Sequence, residues 1–203
     1  NMAWAGHCAF VASVNGVAVV DVSDPAAPQL VTTLHGGGNA FSVLGGADQT
    51  LETVAAAQRP DGRSVLLAGR YGEGAEASPA VPTPMDVFDV TDCQHPQFLT
   101  TYSWPRNVHN LTITPDGSHV WATMPVQYLD ISDPAHPSDY HDLDTELIKF
   151  ENPVAPNQNS HEAWPSADAT RLYIGTMDGY EWNNNQGGYT TTIILPEQIQ
   201  LVK

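Results

Sequence analysis

Asp21-Val-Ser-Asp-Pro-Ala-Ala-Pro28 is one of three copies of a single phrase, the others being Asp89-Val-Thr-Asp-Cys-Gln-His-Pro96 and Asp130-Ile-Ser-Asp-Pro-Ala-His-Pro137. Each copy follows an apolar run with strand character: Val17-Ala-Val-Val20, Met85-Asp-Val-Phe88 and Val126-Gln-Tyr-Leu129. Each leads into another extended segment. An Asp accepts backbone N–H groups within its own turn, and the prolines that follow cannot continue a ladder. The phrase therefore reads as the turn of a β-hairpin.

A second marker lies upstream. Pro60-Asp-Gly62 precedes Ser64-Val-Leu-Leu-Ala68, and Pro115-Asp-Gly117 precedes His119-Val-Trp-Ala-Thr123. Ser166-Ala-Asp-Ala169 before Arg171-Leu-Tyr-Ile-Gly175 is a degenerate copy, and Trp4-Ala-Gly6 before Cys8-Ala-Phe-Val-Ala12 keeps the same register. Each unit thus runs strand, turn, strand, Asp phrase, strand. Asp89 and Asp130 are 41 residues apart, the length of a four-stranded propeller blade. The longer interval from Asp21 to Asp89 accommodates the Gly-rich Gly36-Gly-Gly-Asn39 region and an insertion from Gly72 to Pro84.

These residues resemble the LVIVD repeat, whose members form β-propellers, many of them bacterial and exported or surface-associated. The resemblance covers roughly residues 3 to 182. It implies an all-β fold, a β-propeller of four-stranded antiparallel blades in one domain, with units at about 3–35, 51–101, 107–141 and 159–203. Closed propellers of such blades have at least about four. Three full units and a partial fourth fit either a small, irregularly closed ring or part of a longer protein, and the second is the expectation. The resemblance also implies secretion to the periplasm or cell surface.

Composition agrees with an all-β reading. Short Val-, Ile-, Leu-, Tyr- and Trp-rich runs alternate with Gly, Pro, Asp and Asn clusters, and helical periodicity is weak throughout. Asp142-Leu-Asp-Thr-Glu-Leu-Ile-Lys149 is the best helix candidate, Trp182 to Gly188 reads as a polar loop and Thr190 to Leu195 as a strand. Seven Lys and Arg against 23 Asp and Glu give a formal charge of −16. Nucleic acid and anionic membranes, which are held through basic patches, are therefore excluded as natural partners. No stretch approaches the length needed to span a bilayer. The two cysteines, Cys8 and Cys93, fall in different units, and Cys93 replaces the Pro found at that step in the other phrases; an exported chain could join them in a disulfide, which spacing alone does not decide.

The chemistry lies in the first strands. His109 stands eight residues before Gly117, and His161 stands eight before Ala169, its counterpart. Both belong to an Asn-x-His step, Asn107-Val-His109 and Asn159-Ser-His161. Equivalent positions at the head of the inner strands converge on the central channel of a propeller, so the two imidazoles are expected to face one another. Neutral imidazoles ligate divalent transition metals, and a neighbouring Asn or carbonyl fixes the tautomer. The equivalent residue in the second unit is Val54, which cannot ligate. Glu52, two residues earlier on the same strand face, is the third candidate ligand. Asn107, Asn159 and Trp164 are the candidate ligand-binding residues around the pair. The competing structural reading is that these histidines bond the loop of the next blade, their recurrence reflecting repeat duplication.

The remaining features carry less. His95 and His136 belong to the Asp phrases, His7, His35 and His141 are assigned to turns or loops, and His119 to an exposed alternation. Asp-rich turns lack the spacing of an EF-hand, and Asn110-Leu-Thr112 is a chance glycosylation triplet in an inner strand. Trp4, Trp104, Trp121, Trp164 and Trp182 read as packing between blades. P-loop, Rossmann, G-x-S-x-G and H-E-x-x-H motifs are absent.

Two function classes follow. One is a binding or scaffold propeller that takes a small-molecule or protein ligand at its face. The other is a metal-dependent propeller enzyme, oxidoreductase- or hydrolase-like. An inner-strand His before a Pro-Asp-Gly turn resembles the selenium-binding-protein relatives, whose channel histidines hold a metal. The binding module is the first expectation.

Overall fold

The computed structural model describes residues 1–13, 16–35, 51–70, 83–123, 125–142, 158–166, 171–178 and 189–194, with the backbone alone for 51–52, 158–160, 175–178 and 189–194. Among the described residues, fifteen strands form four antiparallel sheets in chain order. Blade 1 holds β1 (Met2–Ala5), β2 (Cys8–Ser13), β3 (Gly16–Asp21) and β4 (Gln29–Leu34). Blade 2 holds β5 (Leu51–Gln58), β6 (Ser64–Arg70), β7 (Thr83–Asp89) and β8 (Gln97–Trp104). Blade 3 holds β9 (Leu111–Ile113), β10 (His119–Ala122), β11 (Gln127–Asp130) and β12 (Ser138–Asp142). The fourth sheet has β13 (Gln158–Pro165), β14 (Leu172–Asp178) and β15 (Tyr189–Ile194). The first strands β1, β5, β9 and β13 lie beside one another in that order, which is the inner layer of a β-propeller.

The Asp phrase turns β3 into β4, β7 into β8 and β11 into β12 by the same hydrogen bonds. Its first Asp accepts the N–H two residues on: Asp21 from Ser23 at 2.8 Å, Asp89 from Thr91 at 2.8 Å and Asp130 from Ser132 at 2.6 Å. Its second Asp repeats the move on Ala26, Gln94 and Ala135 at 3.0, 3.0 and 3.1 Å. Two consecutive Asx turns reverse the chain without help from packing. A register shift just before each phrase, at Val19/Val20, Val87/Phe88 and Tyr128/Asp130, adds the local twist of a bulge. The Pro-Asp-Gly turns close on Gly62 and Gly117, whose φ values of 87° and 67° lie in the left-handed region that favours glycine. Asp116 in the second turn is held at a pKa of about 2: burial pulls it upward, but hydrogen bonds from Thr114 and Ser118 outweigh that.

The core lies between blades. Residues 64–70 of β6 are buried throughout, because alternate side chains serve opposite seams. Leu66 and Ala68 join Phe10, Val17, Val19 and Phe88 between blades 1 and 2. Val65 and Leu67 join Met85, Trp104, Val120 and Leu129 between blades 2 and 3. Trp121 and Tyr128 meet Ala163, Leu172 and Ile174 between blade 3 and the fourth sheet. Burial of each such side chain contributes roughly 1.5–3 kcal/mol, so the blades are held by their neighbours more than by their own ladders.

Several readings of the sequence change. His141 lies in β12, and β7 begins at Thr83, so Thr83 and Pro84 belong to a strand and not to the insertion. His119 is half-buried and stacked on Tyr128 at 5.0 Å. Trp104 and Trp121 are interblade residues, but Trp4 and Trp164 are 68% and 47% exposed, because they fall on the strand faces opposite Ala3, Ala5 and Ala163. Asp142 closes β12; the rest of the proposed helix, 143–149, lies outside the described residues, as do the polar loop around Trp182, the Gly36–Asn39 region and residues 72–82 of the insertion.

Candidate functional site

The inner strands deliver polar side chains to one place. Thr53 of β5 donates its hydroxyl to Asn110 Oδ1 at 2.8 Å and accepts the Leu111 N–H at 2.9 Å. Asn110 Oδ1 also meets Asn1 Nδ2 at 3.5 Å, which brings the start of blade 1 to the same point. Thr123 donates its hydroxyl to the His161 carbonyl at 2.8 Å, tying blade 3 to the fourth sheet. Blades whose cores meet through apolar seams thus also meet here through hydrogen bonds.

His109 and His161 lie beside this point with their Nε2 atoms 2.7 Å apart, ring centroids 4.3 Å apart and ring planes at 73°. Two nitrogens at that distance share one proton or one cation, since two bare lone pairs repel. Local structure explains the approach. The His109 N–H donates to Thr123 O at 3.0 Å and the Thr123 N–H to Asn110 O at 3.1 Å, which extends the β9–β10 pairing back to residue 109. His161 is the extra residue at the register shift between Ser160 and Glu162, and a bulge re-aims the side chain it carries. The closing bonds of the two turns, Thr114 N–H to His119 O and Ser166 N–H to Arg171 O at 2.9 and 2.8 Å, keep the histidines in equivalent register.

Electrostatics favour a neutral His109. Burial, and then the neighbouring His161, lower the His109 pKa from 6.5 to about 4. The imidazole is therefore available as an acceptor or a ligand at neutral pH. Glu162 Oε1 stands 4.0 Å from His161 Nδ1, too far for a hydrogen bond but near enough to bias the ring.

The other candidates are distributed differently. Asn107 is buried, and its Oδ1 accepts from Thr83 Oγ1 at 3.2 Å and from the Val108 N–H at 3.0 Å. Its carbonyl accepts from Gln127 Nε2 at 2.9 Å, so Asn107 anchors the segment that carries His109. Asn159 pairs with Met177 in the β13–β14 ladder, and its side chain is outside the described residues. Glu52 falls at the register shift of β5, its side chain likewise outside them. Trp164 is largely exposed and pairs with Tyr173.

Sequence reasoning leaves a Cys8–Cys93 disulfide open and misses the cluster that His7 makes with it. Cys8 and Cys93 form a disulfide with Cα atoms 6.4 Å apart, joining β2 of blade 1 to the Asp phrase of blade 2. His7 Nε2 lies 3.8 Å from Cys93 Sγ. The one available signal was the replacement of Pro by Cys93 within the repeat.

Comparison with known proteins agrees with the architecture. Residues 2–35 match the LVIVD repeat. No curated protein matches the chain in sequence. The structure is similar to the periplasmic gluconolactonase PpgL of Pseudomonas aeruginosa, with a TM-score of 0.50 and 11% identity over 82% of this chain and 46% of that one. It is also similar to the Swd1 β-propeller domain of Myceliophteria thermophila, with a TM-score of 0.50 and 13% identity over 93% of this chain and 56% of that one. The chain spans about half the length of both structures. At such identities the likeness concerns the fold. Among the described residues no helix is long and apolar enough to cross a membrane.

Proposed function

We propose, taking as premise that the chain is a β-propeller carrying an LVIVD repeat, that it is an exported binding module whose ligand site is the axial mouth, with His109 and His161 as the residues that take the ligand. The observation that carries this reading is the 2.7 Å approach of the two Nε2 atoms from separate blades. A divalent transition ion is the group that suits the pair best. Zn–N bonds of about 2.0–2.1 Å at a tetrahedral ion set two nitrogens about 3.3 Å apart, so the rings would part by roughly 0.6 Å to admit it. Asn107 acts as a positioning residue, through the loop it fixes. Asn159, Glu52 and Trp164 are proposed to shape the surroundings of the pair, with Glu52 offering a carboxylate to the same ion. The small-molecule or protein ligand then binds at the propeller face through the ion and the mouth. Export is supported by the disulfide, which persists in oxidising compartments.

A second reading is a metal-dependent enzyme. It is favoured by the donor set, because two imidazoles leave coordination positions open for substrate, as catalytic ions require. When bound, the ion would supply Lewis-acid or redox chemistry there; the chain's own part is to hold the two rings together and keep them aligned through Asn107 and Thr123.

Elemental analysis of the purified protein tests the common premise. About one transition-metal ion per chain in the wild type, lost from the His109→Ala/His161→Ala variant with its fold intact by circular dichroism, is the expected result. Equal metal in both proteins would remove the histidines from the site.

A further inference from the structure

A second site is marked at the rim between blades 1 and 2, where three positions depart together from the repeat. Cys8 pairs with Asp21 as Val65 pairs with Asp89 and His119 with Asp130. The preceding residues, His7, Ser64 and Ser118, are equivalent too, since their carbonyls accept the N–H groups of Val22, Val90 and Ile131 at 2.8, 2.9 and 2.8 Å. Cys93 takes the place of Pro25 and Pro134 in the other phrases. Where the neighbouring seam brings Val65 toward Pro134, this one brings Cys8 to Cys93 with His7 above them. The repeat needs none of the three changes, because blades 2 and 3 make the same turns without them.

The ligand atoms of His7, Cys8 and Cys93 all lie within 4.8 Å of one another. Both cysteines are only 2% exposed, whereas His7 is exposed and opens the cluster to solvent. Asp21 and Asp92 flank His7, adding negative charge beside the cluster. Two sulfurs and an imidazole are a soft donor set, and hard ions such as Ca²⁺ and Mg²⁺ prefer oxygen.

We propose that reduction of the Cys8–Cys93 bond converts this corner into a Cys₂His site for a thiophilic ion of the zinc class. A dithiol reductant breaks the S–S bond by exchange; two electrons pass to the cysteines, which leave as thiols, and the dithiol becomes a disulfide. The ion then displaces the two thiol protons and takes His7 as its third ligand, with the fourth position left to water or to Asp21. The corner thus joins blade 1 to blade 2 in either state, by a covalent bond when oxidised and by the ion when reduced. A newly made chain, still reduced, meets the ion-holding state first.

The chain has two cysteines and no more, so a sulfur-to-cobalt charge-transfer band reports this site and not the axial histidines. The full chain, reduced with a water-soluble phosphine, would be titrated with Co²⁺ and then Zn²⁺, with the oxidised chain as control. The band should saturate at one equivalent, disappear on adding Zn²⁺ and be missing from the oxidised protein. His7→Ala and His7→Gln, both at an exposed turn, should weaken Zn²⁺ by at least about 10–100-fold, the cost of losing even an outer-shell partner. No band, unchanged affinity in both His7 variants, or a reduced chain that unfolds and does not refold with Zn²⁺ would each overturn the proposal.

Discussion

At the rim, Asp21, Asp89 and Asp130 do the same thing in three blades, each capping the N–H two residues on. At the heads of the inner strands, the equivalent positions do different things: Val54 is buried in the first seam, whereas His109 meets His161. The two regions are built from the same strands, yet one is repeated and the other individual. Repetition marks what a blade needs in order to fold, and departure from it marks what the assembled ring presents. The cysteine corner supports the same lesson, because it is a departure set within the repeated rim.

If the comparison holds, changes at the rim cost stability and leave the mouth's chemistry alone. Arg59 gives the largest expected effect. Its guanidinium donates to Gly117 O at 3.3 Å, Ile131 O at 3.2 Å and Ser132 O at 2.7 Å, gripping both turns of blade 3 from blade 2. Arg59→Ala should destabilise the protein by about 2–3 kcal/mol, since it removes charge-assisted bonds to three carbonyls. Denaturant unfolding measures this, and a loss under about 0.5 kcal/mol, the level of an ordinary surface substitution, would break the assignment of the rim as structure.

The mouth is sharpened by pH. The folded-state pKa of His109, about 4, lies below its ordinary 6.5, so the unfolded chain binds the proton more readily. The stabilisation is present in full above pH 6.5 and is lost as pH falls toward 4. Discounted for the ring's partial exposure to solvent, it amounts to about 1–2 kcal/mol. In the metal-free protein the His109 imidazole resonances should titrate near pH 4, and His109→Ala should flatten that part of the pH–stability curve. Titration near 6.5 would place the ring in open water.

The fold was legible because its signals are local. An Asp that caps its own turn and a glycine at positive φ act over two or three residues, and they recur often enough to count. The approach of the two histidines was legible for a derived reason: once the register was fixed by Gly117 and its counterpart, equivalence set the two rings to face one another. The bulge that turns His161 inward was not legible, nor was the burial of Asn107 between Thr83 and Gln127, because both depend on neighbours distant in sequence. Cys8 and Cys93 are separated by 85 residues, and nothing in either segment specifies that their blades adjoin at that corner. His7 was passed over as a turn residue for the same reason. Arg59 reads in sequence as one charge before a proline, and its three acceptors appear only when blade 3 is in place.

The central claim is that His109 and His161 act as one ligand-binding unit at the axis. Calorimetric titration of Zn²⁺ into the disulfide-bonded wild type, the His109→Ala and His161→Ala variants and their double variant tests it directly. Each single variant should lose nearly as much affinity as the double, by at least about 10–100-fold. A double variant that binds Zn²⁺ as tightly as the wild type, or single losses that simply add, would contradict it.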